Sequence, residues 1–207
     1  DKKARFRTVL LDPELAATAP PRVVATAGID AITHAIESAV TRRGNPVSRM
    51  LSREAWRRLD ASFERYLAKP GDLTAAADML LGSHLAGAAI EASMLGAAHA
   101  CANPLTAHYG IVHGTAVGLM LPAVIRFNAE VAGELYRELD AGGAEGLATR
   151  FEELRKAAGL PARLRDAGVD QGRFSQLAEE AAKQWTGTFN PRPAGVGEML
   201  ALYREVF

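Results

Sequence analysis

The stretch Met79–Ile125, MLLGSHLAGAAIEASMLGAAHACANPLTAHYGIVHGTAVGLMLPAVI, decides the fold, because Glu91 is its only Asp, Glu, Lys or Arg. Solvent-facing helices carry Lys and Glu, so a run this long without charge has to be largely buried. It does not read as a membrane span, since His84, His99, Asn103, Pro104, His108 and His113 interrupt it before about 20 apolar residues accumulate. Small residues recur in it, at Leu85-Ala-Gly-Ala-Ala and Leu95-Gly-Ala-Ala, and would let neighbouring backbones come close. The stretch is therefore expected to form the central helix or helices of a helical domain.

The flanks agree. After Pro20-Pro21 the pattern turns helical, with Thr26 able to cap a helix to about Val40 that places Ile29, Ile32, Ala35 and Ile36 on one face. Gly44-Asn45-Pro46 stops it, and a second helix follows over about 47–67, closed by Lys69-Pro70-Gly71. Asp72 is a plausible N-cap for a helix to about Leu81, or on to Glu91. Helical spacing continues over about 92–103 until Asn103-Pro104. Another helix, about 115–130, contains Pro122, where a kink or break is expected. The Gly-rich segment from Ala141 reads as a flexible connector, ahead of helices at about 147–158, 171–184 and 195–206. The one expected strand is 6–11, Phe-Arg-Thr-Val-Leu-Leu, closed by Asp12-Pro13. The fold class is all-α, with a short extended N-terminal lead-in.

Composition bounds the function. At 207 residues and 22.0 kDa the chain is one domain, or one plus a fragment. Lys+Arg and Asp+Glu are both 24, a balance that argues against a nucleic-acid binder or a polybasic membrane-surface protein. With 48% hydrophobic and 23% charged residues, wholesale disorder is unexpected. The single cysteine, Cys101, can form no internal disulfide, excludes a Cys-cluster metal site, and fits a reducing, cytoplasmic compartment. The chain opens Asp-Lys-Lys with neither an initiator Met nor a signal peptide, which reads as a piece of something longer.

All 5 histidines fall between His34 and His113. Asp30 and His34 stand at i and i+4, which on a helix puts a carboxylate and an imidazole on one side, one turn apart. Their neighbours are Ile29, Ala31, Ile32, Ala35 and Ile36, and an ionised Asp beside so much apolar surface needs a partner. A divalent cation is one such partner. His99 is expected near the end of the charge-poor helix, with Pro104 breaking that helix. His113 then returns on a loop between Gly110 and Gly114, so chain reversal can bring it back towards His99. One carboxylate and three imidazoles suit Fe²⁺ or Zn²⁺ better than Ca²⁺ or Mg²⁺. Such a site keeps a net positive charge and can stabilise an alkoxide. His108 is a loop histidine with a possible substrate-side role, and His84 reads as a helix-packing residue.

At these residues the sequence resembles the iron-containing (group III) alcohol dehydrogenase family, within the dehydroquinate synthase-like superfamily. The match runs through Gly28-Ile-Asp-Ala-Ile-Thr-His-Ala-Ile-Glu, Ala86-Gly, Leu95-Gly-Ala-Ala-His-Ala, His113-Gly, Leu121-Pro and Arg126-Phe-Asn. The resemblance implies that Asp30, His34, His99 and His113 are the metal ligands for Fe²⁺ (or Zn²⁺). It further implies an NAD(P)-dependent enzyme exchanging hydride with a small alcohol or aldehyde, commonly as a homo-oligomer. Residues 1–26 would then lead in from a nucleotide-binding domain that this chain lacks, and 27–207 would be the helical metal-binding domain. Gly142-Gly143 follows a helix rather than a strand and is read as a linker, not a pyrophosphate loop, so the chain alone should bind NAD(P) weakly or not at all. Asn103 takes the position, four after His99, where many relatives carry a further pocket-lining His; it can orient a hydroxyl but cannot titrate. Glycerol dehydrogenase-like and dehydroquinate synthase-like relatives use three ligands, and maleylacetate reductase-like activity is a further neighbour. The alternative from another class is a non-catalytic helical module that binds metal or a partner subunit.

Overall fold

The helix that organises the molecule begins at Pro21, not Thr26, in the computed structural model, which describes residues 6–207. The first five residues of the expected lead-in lie outside the described residues. Proline at the first helical position has its φ already set and lacks only an N–H that would go unused there, so it starts the helix more than a turn early. Thr26 sits inside, its hydroxyl donating to the Arg22 carbonyl at 3.0 Å. In chain order the α-helices are α1 (Pro13–Ala16), α2 (Pro21–Val40), α3 (Pro46–Ala68), α4 (Leu73–Ser93) and α5 (Ala97–Tyr109). They continue with α6 (His113–Arg137), α7 (Gly143–Ala157), α8 (Phe174–Ala182) and α9 (Val196–Glu205).

No strand occurs among the described residues, so the expected strand at 6–11 is corrected. A strand needs a paired neighbour, and here Phe6 and Leu10 remain 83% and 87% exposed. Asp12-Pro13 starts α1 rather than ending a strand: the Asp12 carboxylate accepts the Glu14 N–H at 2.9 Å as its cap.

α2 runs through the middle, with Ile29, Ile32 and Ile36 fully buried, and packs against α3, α4 and α6. α5 lies on α6 and carries α8 on its other side. Burial of the charge-poor stretch holds for α5 and the first half of α6, but α4 differs. Ser83, His84, Gly87, Glu91 and Ala92 of α4 are exposed. Apart from Glu91, the exposed part of α4 after Met79 carries small or uncharged residues, so sparse charge there does not mark burial within this chain. By length and composition α2, α4 and α6 are each apolar enough to cross a membrane, which the interrupting histidines did not indicate; in α2 and α6 most of that apolar surface is buried within the protein.

Both interior prolines sit within continuous helices. Pro104 deprives α5 of one hydrogen bond, yet the turns around it are anchored by buried His99, Cys101 and Leu105, and the helix continues to Tyr109. Pro122 is likewise buried inside an unbroken α6. The chain breaks instead between α4 and α5, at Met94, whose φ of 101° is a conformation that side-chain-bearing residues rarely adopt.

Two glycines set the helix spacing. A Cβ on Gly28 of α2 would lie 2.3 Å from the Phe63 ring of α3. A Cβ on Gly114 of α6 would lie 2.0 Å from the backbone oxygen of Thr26, which cannot rotate away. Gly114→Ala should therefore destabilise the chain by about 1–3 kcal/mol, the range for overpacking. Gly133, also in α6, has nothing within 4 Å of its would-be Cβ, so Gly133→Ala should stabilise by about 0.5–1 kcal/mol through helix propensity. Urea denaturation of both variants checks this; equal effects would contradict the spacing argument.

Candidate metal centre

Three helices deliver the candidate ligands. α2 presents Asp30 and His34 one turn apart; α5 presents His99 from its first turn; α6 presents His113 as its first residue. The loop expected to carry His113 is thus a helix start. Gly110 makes the reversal before it, ending α5 in the left-handed conformation at φ 63°. The close approach at Gly114 then sets the base of α6 on α2, beside Asp30.

All three imidazoles aim Nε2 at one carboxylate oxygen. Asp30 Oδ1 lies 3.4 Å from His34 Nε2, 3.5 Å from His99 Nε2 and 3.7 Å from His113 Nε2. The His34 and His99 rings stack at 4.9 Å between centroids, and His113 lies 5.2 Å from His99 at a tilt of 52°. Donor atoms about 2.1 Å from a shared cation in a tetrahedron stand about 3.4 Å from one another, so these separations fit a bound divalent ion. The ligand atoms of Asp30, His99 and His113 all fall within 4.8 Å of one another, and His34 adjoins the same Asp30 oxygen.

The polar bookkeeping leads to the same place. Asp30 Oδ1 and His99 Nε2 are buried with no hydrogen-bond partner; the 3.5 Å between them is an electrostatic approach, not a formed bond. Two facing orphan atoms are costly unless something occupies the gap. His99 is the deepest member, its side chain 5% exposed, while that of His113 is 38% exposed, so the cluster opens on the His113 side.

Burial works against the charge of Asp30, but the nearness of His99 and the potential of His34 and His113 outweigh it and hold the carboxyl below its usual value. Burial pushes His34 down to about 4 and also lowers His113, against the pull of Asp30, which favours the neutral rings a cation needs. His99 goes the other way. Burial opposes its charge, yet Asp30 and Glu37 raise it to about 9.

Sequence reasoning missed Glu37. It is buried on α2 and accepts from His99 Nδ1 at 2.6 Å, from the Ala98 N–H at 2.7 Å and from the Gly96 N–H at 3.1 Å. Asn190, from far along the chain, accepts the Ala97 N–H at 3.1 Å and is paired with Asn128. The start of α5 is therefore fixed by two side chains, Glu37 and Asn190. The available signal for Glu37 was periodicity: with Asp30 and His34 it stands at i, i+4 and i+7, one face of a helix otherwise buried.

The two remaining candidates are hydrogen-bonded to the C-terminal segments. Asn103, one turn beyond His99 on α5, donates to Gln184 at 2.9 Å. His108 bridges α5 to α8, with Nε2 2.7 Å from Glu180 and Nδ1 3.2 Å from Arg173, so both ring nitrogens are engaged. His84 is exposed on α4 rather than packed.

Residues 24–207 match the profile described as Fe-containing alcohol dehydrogenase family, C-terminal. The chain is 33% identical to a 1,3-propanediol dehydrogenase of Klebsiella pneumoniae, over 95% of this chain and 54% of that protein. Among solved structures, a 1,3-propanediol oxidoreductase superposes with a TM-score of 0.90 at 32% identity, over 95% of this chain and 55% of that one. The sulfoacetaldehyde reductase of Bifidobacterium kashiwanohense, solved in complex with NAD+, gives 0.88 at 25% identity, over 94% and 53%. The chain thus spans about half the length of the relatives it matches. With a helical fold, a clustered Asp and His set and this match over nearly all of its length, the chain belongs to the Fe-containing alcohol dehydrogenase family, whose C-terminal part it represents.

Proposed function

We propose that this chain is the helical, metal-holding half of an NAD(P)-dependent oxidoreductase that interconverts small alcohols and aldehydes. The observation that carries the reading is the convergence of three imidazole nitrogens on Asp30 Oδ1, with Asp30 Oδ1 and His99 Nε2 left as buried orphans. Asp30, His34, His99 and His113 would hold Fe²⁺ or Zn²⁺. When bound, such an ion supplies Lewis-acid polarisation of the substrate's oxygen.

The rest falls to the chain's own side chains. Asp30 would offset part of the cation's charge, and three neutral imidazoles would leave the remainder available to the substrate oxygen, which is negative as the alkoxide before hydride leaves its carbon and becomes negative again when hydride is delivered to an aldehyde. His99 anchors the buried side, and His113 marks the rim by which a small substrate enters. Buried Ala97, Ala98, Ala100 and Ala102 keep the His99 side of the cluster dry, which strengthens the electrostatics there. Asn103, one turn beyond His99 and with its NH₂ given to Gln184, is the candidate to orient a substrate hydroxyl through Oδ1. His108 is given no part, since Arg173 and Glu180 already occupy it.

The domain division follows the same reading. Residues 1–26 are read as the lead-in and 27–207 as the helical metal-binding domain, with the first turn of α2, from Pro21, lying in the lead-in. The relatives' extra length supports assigning the nicotinamide cofactor to a portion not represented in these 207 residues.

Zinc titration of the purified chain, followed calorimetrically, should show one tight site. His99→Ala should weaken it by more than about 100-fold, beyond the cost of losing an outer partner of a ligand. At about 100 times its Kd the ion should add about 2.7 kcal/mol of stability, reversed by chelator. No shift in Tm with metal would contradict the site. Dinucleotide titration separates the truncated-enzyme reading from a non-catalytic module: NAD(P) should bind a longer parent chain and fail to bind this one, and absence of binding by both would favour the module.

A further inference from the structure

Glu37 lies outside the candidate ligand set, yet it is the only carboxylate other than Asp30 within ion-pair distance of His99 among the described residues. Its side chain is 3% exposed, and an isolated carboxylate at that depth would be costly without hydrogen bonds. Three N–H groups supply them. Oε2 receives His99 Nδ1 and the Gly96 N–H, and Oε1 receives the Ala98 N–H. The ring bond, at 2.6 Å, is the shortest. Glycine at 96 makes the approach possible, because a Cβ there would stand 2.9 Å from Glu37 Oε1 and 2.8 Å from Asn190 Oδ1.

The consequence concerns a proton. A carboxylate oxygen only accepts, so the hydrogen between Glu37 and the ring belongs to His99 Nδ1. A neutral His99 then keeps its lone pair on Nε2, the orphan atom facing Asp30 Oδ1. The same contact ties the first turn of α5 to α2, the helix bearing Asp30 and His34. One helix face thus provides two donors and governs the third.

We infer that Glu37 is a positioning residue for this centre: by holding the His99 proton on Nδ1 it presents Nε2 to the cation, and it fixes the distance between α5 and α2 at which the site closes. This inference rests on the metal-site reading above. Glutamine is an imperfect replacement. Whichever way its amide turns, the NH₂ meets either the Ala98 N–H or the pair formed by the Gly96 N–H and His99, and the negative charge supporting the ring proton is gone.

The test uses the 207-residue chain with ¹⁵N-labelled histidine, loaded with Zn²⁺, together with zinc titrations of the wild type, Glu37→Gln and His99→Ala. In the wild type the His99 resonances should show a protonated Nδ1 and a zinc-bound Nε2. Glu37→Gln should bind zinc about 10–100-fold more weakly while remaining folded, with an altered His99 Nδ1 signature. A role confined to capping α5 would lower Tm and leave that signature and the affinity of the folded protein unchanged, which overturns the inference. Zinc found on Nδ1 in the wild type overturns it as well, and decides the matter should Glu37→Gln fail to fold. If His99→Ala binds zinc as tightly as the wild type, the metal site itself is wrong. If His99→Ala is weak and folded Glu37→Gln is normal, only the role of Glu37 is wrong.

Discussion

A carboxylate oxygen faced by three imidazole nitrogens, in a helical interior that is closed on one side, is the constraint on which this structure turns. Like-charged rings 4.9 and 5.2 Å apart would repel, and an unpaired buried carboxylate would be expensive, so the arrangement is stable only as a set whose charges are shared. Asp30 answers the rings, and Glu37 answers His99 from behind. Burial keeps His34 neutral and drives His113 the same way. The fold has placed a carboxylate and three imidazoles around one point.

Helix spacing makes that set possible. Asp30 and His34 come from one helix, but His99 and His113 begin two others, and helix starts reach a common point only when backbones pass closely. Gly28 admits the Phe63 ring, Gly114 admits the Thr26 carbonyl, and Gly96 admits the Glu37 and Asn190 oxygens. Asn190, itself paired with Asn128, holds the start of α5 alongside Glu37. The C-terminal segments therefore bear on the centre without touching a ligand: Arg192 lies 4.3 Å over the Phe127 ring and donates to the Phe127 carbonyl, joining the segment after Asn190 to α6.

Much of this could be read from the chain before any coordinates. The charge-free stretch and helical periodicity pointed to an all-α fold, the i, i+4 spacing put Asp30 and His34 on one helix face, and the family resemblance joined His99 and His113 to them as a set. What escaped was non-local. Pro104 and Pro122 signal breaks by local stereochemistry, and burial of the turns around them overrode it. The segment 6–11 has strand-like composition, but a strand exists only with a partner, and none is present among the described residues. Lack of charge on α4 was taken for burial although small residues at a solvent face produce the same pattern. Glu37 was visible in the letters and silent in meaning, because its importance depends on two backbone N–H groups and a ring that arrive from some sixty positions away.

Anomalous diffraction at the zinc edge from crystals of this chain soaked in Zn²⁺ addresses the central claim most directly. One dominant peak is expected, bonded to Asp30 Oδ1 and to Nε2 of His34, His99 and His113. Density for zinc only on surface carboxylates, with the space between those four atoms holding water or nothing, would contradict it.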